Sequence, residues 1–497
     1  MAKNIVLLSD GTGNTSIKGR GTNVFKMFEA IDLTGHQTHP ELTPQVAFYD
    51  DGVGTESFKP LKIFAGMTGF GLGRNVRQLY RELVRIYDPG DRIFLFGFSR
   101  GAFTVRTLAG LIANCGILDC SRLPTSKALG TAVDRAYEVY RKRYRTALMK
   151  LVAGPPDTTI IETFRSRWCL PEETTIHFLG VWDTVDAVGT PFHISDFINL
   201  AIRRFKFPDR SLNRRVENAR HAIALDDERH SFHPLLWEED ASDAGRIEQV
   251  WFAGAHSNVG GGYPKQGMSL VALNWMMRQA MDAGLRFTGS DRLYCSEHTN
   301  VDDKLYDPRS GLGVFYRWKP RSMEKLCRDN GVHPKIHCSV LERIAHGTED
   351  YAPGNIAPDA AAVITSTGDP DRDEAALRRA LEVEEVLRKA HRDGRPLLAR
   401  VRAMIFIGHI SYYVYLIFCT LVAGAAIMTA ASAIRRGARS MSPSDVLWFL
   451  VLLLSGFLLS YALGRLAQAR MSAVFSEFWH EEQQRLREAL KRARAAS

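Results

Sequence analysis

The chain has 497 residues, enough for one large domain with additions or for two to four domains. A hydrophobic content of 45% and a charged content of 24% are ordinary for a folded protein. The net charge of +9 fits an arginine-rich proteome or attraction to anionic lipid, but no basic block with interleaved aromatics indicates a nucleic-acid partner. Seven scattered cysteines without a CxxC pair indicate reduced thiols and give no metal-site spacing.

Residues 1–355 read as one α/β domain, because short apolar runs alternate with helical patterns. The first run, 5–8, is too short for a signal-peptide core, so we read it as the first strand and do not expect secretion by the general pathway. Segments 120–172 and 190–245 are expected to be insertions. The predicted strands are residues 5–8, 46–49, 92–96, 175–181 and 249–253, and the predicted helices are 74–87, 102–114, 131–145 and 269–283.

The motif Gly-x-Ser-x-Gly at 97–101 follows an apolar run and precedes a helical pattern. This context is typical of a nucleophile elbow, in which a sharp strand-to-helix turn exposes the serine hydroxyl. We therefore take Ser99 as the candidate nucleophile. The less specific alternative is a glycine-rich structural turn.

A serine nucleophile needs a base and an acid, which follow it along an α/β-hydrolase chain in the order acid, then histidine. The apolar run before Asp183 and the run before His256 both end at such residues. We predict Asp183 as the acid, with Asp186 as its rival, and His256 as the base. The polar stretch that contains His221, His230 and His233 reads as a surface helix or loop.

The turn after the first strand is a candidate oxyanion-binding loop. Backbone N–H groups of Gly11 or Thr12 would complement that of Arg100, and a plain Asp-Gly turn is the alternative. Gly11-x-Gly13 lacks the spacing of a phosphate-binding loop, and the glycines at 69–73 lack dinucleotide spacing. No cofactor or metal is therefore expected.

The C-terminal third is read as a membrane attachment. A charged helical linker at 356–402 leads to two charge-free runs, 403–434 and 446–464, each long enough to span a bilayer. The alternative to membrane spans is that the two runs are buried core helices. His409, inside the first run, is expected to be a neutral histidine near the membrane interface. The amphipathic tail at 465–497 would lie on the membrane or pack on the main domain.

Basic residues flank both runs, so they do not fix the orientation. We expect the two runs to form a transmembrane helical hairpin in a bacterial inner membrane. Without a signal peptide, both chain ends are expected in the cytoplasm.

Five ordered motifs resemble one known family: DGTxN at 10–14, YxxGVGT at 49–55, GFSRGA at 97–102, GVWDTV at 180–185 and HSxVGGGY at 256–263. Together they resemble the α/β-hydrolase domain of the type VI secretion phospholipase effectors of the first lipase family. This resemblance, over about residues 3–355, implies a mostly parallel sheet and an acyl-ester hydrolase with a Ser-Asp-His triad. Asn258 and Leu270 depart from it, since relatives have Asp at the first position and we expect Asp at the second.

Three hypotheses follow. The first is a membrane-anchored serine hydrolase that cleaves phospholipid or other lipid esters, with the bilayer as its partner. The second is an exported antibacterial phospholipase, although the membrane hairpin is not part of the family core. The third, from a different class, is a non-catalytic membrane scaffold that kept a hydrolase fold.

Overall fold

The computed structural model describes residues 2–11, 21–51, 72–142, 159–185, 211–310, 316, 318–435 and 442–495. Two candidate site residues, Thr12 and Asp186, lie outside the described residues. So do most of the motif at 49–55 and the first part of the expected insertion at 190–245.

The core is one sheet of eight strands whose neighbours are all parallel. The strand order is β2-β1-β3-β4-β5-β6-β7-β8. Because the strands are parallel, their carboxyl ends lie at one edge, where open α/β sheets bind ligands. The strands are β1 (Asn4–Ser9), β2 (Gln45–Asp50), β3 (Arg92–Phe98), β4 (Phe178–Trp182), β5 (Ala219–Ala224), β6 (Ile247–Phe252), β7 (Lys335–His337) and β8 (Ala361–Val363).

Helices cover both faces of the sheet, and alternate side chains of each strand point to opposite faces. Ile5 and Leu7 of β1 belong to one buried cluster, whereas Val6 and Leu8 belong to another. The helices of the first cluster are α3 (Leu72–Ile86), α4 (Arg100–Cys115), α5 (Ser126–Lys142) and α6 (Thr159–Trp168). The second contains α1 (Asn23–Ala30), α8 (Gly267–Asp282) and part of α9 (Gly289–Glu297), while α2 (Gly35–Thr38) and α7 (His256–Gly260) are short.

A third buried cluster packs the C-terminal helices against β6 and β7. Helix α12 (Pro370–Asp393) belongs to the segment expected to be a charged linker, yet it buries Ala380, Val383 and Leu387 in this cluster. Strand β8 also lies in that segment and extends the sheet. The helices are α10 (Met323–Asp329), α11 (Cys338–His346), α12 (Pro370–Asp393), α13 (Arg395–Arg435) and α14 (Pro443–Ala495).

The predicted α/β class and parallel sheet are confirmed, and all five predicted strands are present as β1, β2, β3, β4 and β6. The reading of 190–245 as an insertion was wrong in its second half, because β5 lies inside the sheet between β4 and β6. Strand β5 was missed because Arg220 and His221 interrupt its apolar pattern.

One helix within the described part of the chain is long and apolar enough to cross a membrane. It covers Ser444–His480 within α14, and its most apolar stretch of 18 residues has a mean hydropathy of 2.3. The most exposed large apolar side chains of α14 lie between Val446 and Leu466. Further along, Phe478, Trp479 and Leu486 are buried against the main domain, so the tail packs on that domain.

Candidate active site

The three residues predicted to form a triad lie at the same edge of the sheet. Ser99 directly follows β3, and Asp183 directly follows β4. His256 begins α7, with three residues between it and the end of β6. Parallel pairing brings these strand ends together, so each side chain is positioned by a strand-to-loop or strand-to-helix junction.

Ser99 is held in an unusual backbone conformation between β3 and α4. Its φ of 59° and ψ of −122° lie outside the ordinary regions for a residue with a side chain. The neighbouring glycines allow this turn because a Cβ on Gly101 would collide with the carbonyl oxygen of Ser9. A Cβ on Gly97 would lie 2.6 Å from the Gly101 oxygen. The turn therefore has the strand-turn-helix geometry expected around a nucleophilic serine.

Asp183 and His256 form a buried hydrogen-bonded pair. Asp183 Oδ2 lies 2.5 Å from His256 Nδ1, and the Asp183 side chain is fully buried. Both guanidinium Nη atoms of Arg321 also donate to the carboxylate, at 2.7 and 2.8 Å. The backbone N–H of Ala224, at the end of β5, donates to Oδ1 at 3.0 Å. The carboxylate is therefore fixed in position by donors from several elements.

Charges around this pair set its protonation. Burial opposes ionisation of Asp183, but the Arg321 charge and the hydrogen bonds from His256 and Arg321 bring its pKa below the ordinary value. Burial lowers the pKa of His256, against the opposite influence of Asp183. At neutral pH the pair is thus a carboxylate beside a neutral imidazole, the state that a general base requires.

Aromatic rings and a second acid surround His256. The Phe98 ring centroid lies 4.5 Å from that of the imidazole, and the Phe232 ring meets it edge to face at 5.0 Å. Asp227 Oδ2 accepts the backbone N–H of His256 at 3.2 Å and pairs with Arg229 at 2.7 Å. These contacts fix both the ring and the backbone of His256.

Ser99 itself is 7% exposed. Among the described residues, its hydroxyl makes no hydrogen bond to His256. Phe98, the residue before Ser99, is one of the residues that contact the imidazole. Catalytic hydrogen bonds often tighten only when substrate binds.

The candidate oxyanion loop is engaged within its own turn. The Gly11 N–H donates to Asp10 Oδ1 at 2.6 Å. Asp10 Oδ2 accepts from the hydroxyls of Thr22 and Tyr49, each at 2.6 Å. Arg100 begins α4, whose first N–H groups point out of the helix end beside Ser99.

Two residues at this site were missed by sequence reasoning. Arg321 stands in an irregular stretch 138 positions from Asp183, and no local pattern marks it. Asp227 follows β5 and belongs to the stretch that was read as a surface helix or loop. The stretch is largely a loop, but its placement at the surface was wrong, since Asp227 and His221 are fully buried. Recognition of β5 as a strand would have placed Asp227 at the active edge.

The two departures from the family pattern have structural roles. The Asn258 side chain accepts from the N–H groups of Ala255 and Tyr306 and donates to the carbonyl oxygen of Lys304. Leu270 is buried among the apolar residues of α8. Among the described residues, no group of three or more His, Cys, Asp or Glu side chains is placed to hold a metal ion.

A parallel α/β sheet with a buried Asp–His pair and a serine turn at its carboxyl edge defines a hydrolase-like class of protein. Comparison with known families makes this more specific. The model of the catalytic domain of type VI secretion phospholipase effectors like Tle1 matches residues 3–279, more than half of the chain. The chain belongs to this family, and the resemblance expected from the five motifs is confirmed.

Individual relatives are more distant. The uncharacterized protein YEL023C of Saccharomyces cerevisiae is 30% identical over 249 residues, 47% of this chain and 33% of the yeast protein. The chain thus spans a third of that relative's length. A structure of an uncharacterized Pseudomonas aeruginosa protein is 19% identical with a TM-score of 0.37, covering 78% of this chain and 59% of that one. The structure of the Tle1 effector bound to the VgrG spike is 15% identical, with a TM-score of 0.35. The match covers 65% of this chain and 82% of that one. Scores this low support no argument about function.

Proposed function

We propose that this chain is a membrane-anchored serine hydrolase that cleaves the carboxylic esters of phospholipids or related lipids. Ser99 is the nucleophile, His256 the general base and Asp183 the acid that orients it. The observation that carries the proposal is the buried Asp183–His256 pair at 2.5 Å, at the same sheet edge as the Ser99 turn. Membership in a phospholipase effector family supports a lipid ester as the substrate.

The chemistry follows from the groups at this edge. Asp183 holds Nδ1 of His256, which leaves Nε2 to take the Ser99 proton as Oγ attacks the ester carbonyl carbon. The N–H groups at the start of α4, beginning with Arg100, stabilise the oxyanion. Gly11 contributes once its N–H leaves Asp10, and Thr12 is the alternative donor. His256 then protonates the leaving alcohol, and a water molecule that His256 activates hydrolyses the acyl-enzyme.

The anchor is proposed to consist of two spans, 403–434 in α13 and 446–464 in α14. The hydropathy of α14 supports the second span. Phe418 packs against Gly456, where a Cβ would collide with its ring, and Val401 shares a buried cluster with Met471. The earlier residue of α13, Val401, lies with the later residue of α14, Met471, and the later residue Phe418 lies with the earlier residue Gly456. This is the pattern of an antiparallel helix pair. We place the pair in a bacterial inner membrane, with the main domain in the cytoplasm.

The direct test compares wild type with Ser99→Ala in detergent, on p-nitrophenyl esters and on phospholipid. We expect the variant to lose at least about a thousandfold in kcat, because removal of a triad nucleophile leaves only the oxyanion site and binding. Ser290→Ala, an exposed serine at the start of α9, is the matched control and should retain full activity. Equal activity of wild type and Ser99→Ala would refute the proposal and favour the non-catalytic scaffold.

Family membership also favours a second candidate, an exported phospholipase effector. The apolar helix α14 favours the resident enzyme instead. Cell fractionation distinguishes them: a resident enzyme stays with the membrane after alkaline carbonate washing. An effector would be recovered outside the producing cell and would be toxic to neighbours that lack an immunity protein.

A further inference from the structure

A first chain of contacts leads from the catalytic histidine to the C-terminal helices. The Phe232 ring lies edge to face on His256 at 5.0 Å, and the Tyr316 ring lies edge to face on Phe232 at 5.4 Å. Two residues further along the chain, Trp318 is buried among residues of α13 and α14. That cluster contains Val401, Met471 and Phe475.

A second chain of contacts starts at Asn258, in the middle of α7. The side chain of Asn258 is bonded to the backbone of Lys304 at 3.0 Å and of Tyr306 at 3.4 Å. The next residue, Asp307, pairs with Arg465 of α14 at 3.5 Å. This route is independent of the aromatic one and reaches the same stretch of α14.

A third contact joins the loop after β5 to α14. Glu228 Oε2 accepts a hydrogen bond from Gln468 Nε2 at 2.7 Å. Glu228 is adjacent to Asp227, which holds the backbone of His256. All three routes therefore lead from the surroundings of His256 to α14 between residues 465 and 475.

This stretch of α14 begins where the apolar segment ends. The charge-free apolar segment 446–464 is about 28 Å long at ~1.5 Å per residue, which is close to the hydrocarbon core of a bilayer at ~30 Å. Ala467, just beyond it, is 3% exposed, and the adjacent Gln468 is hydrogen-bonded to Glu228 of the main domain. No spacer therefore separates the end of the apolar segment from the domain that carries the active site.

The surface beside this junction carries exposed lysines and half-buried tyrosines. Tyr263, which follows the glycines after His256, stacks on Tyr306 at 4.2 Å. The ammonium group of Lys304 lies 5.2 Å from the Tyr306 ring, and the Lys265 N–H donates to the Tyr306 hydroxyl. Tyrosines are enriched where a protein meets lipid headgroups, and lysines there are attracted to anionic lipid.

We propose that the catalytic face is held directly against the bilayer that contains α14, so the enzyme takes its substrate from the adjacent leaflet of its own membrane. This inference rests on the proposed lipid-ester hydrolase function and deepens it. Rigid attachment raises the effective concentration of lipid in that leaflet, and it keeps lipid in other membranes out of reach.

Reconstituted vesicles test the inference. The full chain is placed in vesicles of phosphatidylethanolamine and phosphatidylglycerol, with a fluorogenic phospholipid either in the same vesicles or in separate ones that lack protein. We expect hydrolysis in the same vesicles to be at least about tenfold faster at equal total lipid. Equal rates would overturn the inference while leaving the function intact. Failure to hydrolyse any ester, soluble or lipid, would instead overturn the proposed function and the inference with it.

Charge reversal tests the proposed membrane-facing surface. In vesicles rich in phosphatidylglycerol, the double variant Lys265→Glu/Lys304→Glu should lower the same-vesicle rate by about tenfold, because each lysine contributes attraction to anionic lipid. Its activity on a soluble ester should be unchanged. The double variant Lys127→Glu/Lys142→Glu, on exposed positions of α5, makes the same charge change and should have no effect. Identical behaviour of the two double variants would contradict the assignment of this surface.

Discussion

At the scale of single residues, the candidate site is a buried charge network rather than an isolated triad. Asp183 is shared between His256 and Arg321, and Asp227 holds both the His256 backbone and Arg229. The guanidinium of Arg321 stabilises the carboxylate in a site that would otherwise favour its neutral form. It also reduces the stabilisation that Asp183 gives to a protonated imidazole. Arg321 is therefore a positioning residue that tunes the base through the acid.

This role predicts a change in pH dependence for Arg321→Met. The base must be neutral, and burial holds the pKa of wild-type His256 below its ordinary value of 6.5, so activity falls only below that pH. Without the guanidinium, Asp183 attracts the imidazolium more strongly and the His256 pKa rises. We expect the acidic limb of kcat/KM to move to higher pH by about one unit.

Two controls separate this effect from loss of stability. Arg321→Lys keeps the positive charge and should restore most of the wild-type profile. Arg343→Met removes another fully buried arginine, one that pairs with Glu349 rather than Asp183. It should destabilise the fold without moving the pH profile. An unmoved profile in Arg321→Met would show that Arg321 has only a structural role.

Sequence reasoning reached part of this network. Ser99, Asp183 and His256 were predicted because each follows an apolar run, and parallel strands end at a common edge. Arg321 was out of reach, because its partner lies 138 positions away and its own segment has no periodic pattern. Tertiary packing alone brings it to Asp183.

At the scale of elements, the turn from β3 to α4 depends on close backbone approach. Gly101 sits against the carbonyl oxygens of Ser9 and Asp10, so a methyl group there must push α4 away from β1. We expect Gly101→Ala to destabilise the domain by about 1–3 kcal/mol, as overpacking does, and to displace the serine turn. Thermal unfolding and ester hydrolysis would both report the change.

Gly130→Ala is the matched control for that substitution. Gly130 lies in α5, where a Cβ would have its nearest neighbour at 3.5 Å, an ordinary contact. Alanine should stabilise this helix by about 0.4–1 kcal/mol, because it restricts the unfolded chain. If the two variants unfolded at the same temperature, close approach at Gly101 would not be what holds the turn.

The elements also show which patterns carry fold information. Strands that are apolar throughout, such as β1 and β3, were predicted from the sequence. Strand β5 was missed because polar side chains break its apolar pattern. Strands β7 and β8 were also missed, because three residues each are too few to form a recognisable pattern. Helix α12 reads as solvated because its charges outnumber its apolar residues, yet its narrow apolar stripe is buried.

At the scale of the whole molecule, α14 joins two environments in one helix. Its first half exposes apolar side chains, and its second half packs on the domain, where Trp479 Nε1 donates to the carbonyl oxygen of Pro353 at 2.7 Å. Sequence alone left the tail divided between the membrane surface and the domain, because an amphipathic pattern suits both. The packing of Trp479 and Leu486 favours the domain.

Two tryptophans on α14 allow a matched comparison. Trp479 is fully buried, whereas Trp448 is 67% exposed in the apolar segment. In detergent, Trp479→Ala should destabilise the domain by about 3–5 kcal/mol, the usual cost of removing a large buried aromatic side chain. Trp448→Ala should leave the unfolding of the domain unchanged. Equal effects on thermal unfolding would contradict the packing of the tail on the domain.

The central claim is that Ser99 is a nucleophile activated by His256 and Asp183. The most direct test is reaction of the full-length protein with a fluorophosphonate, followed by intact-mass and peptide analysis. The account predicts one covalent adduct, located on Ser99, that is absent in Ser99→Ala and forms at least about a hundredfold more slowly in His256→Ala. An unreactive wild-type protein, or an adduct on another residue at the same rate in all three proteins, would contradict it.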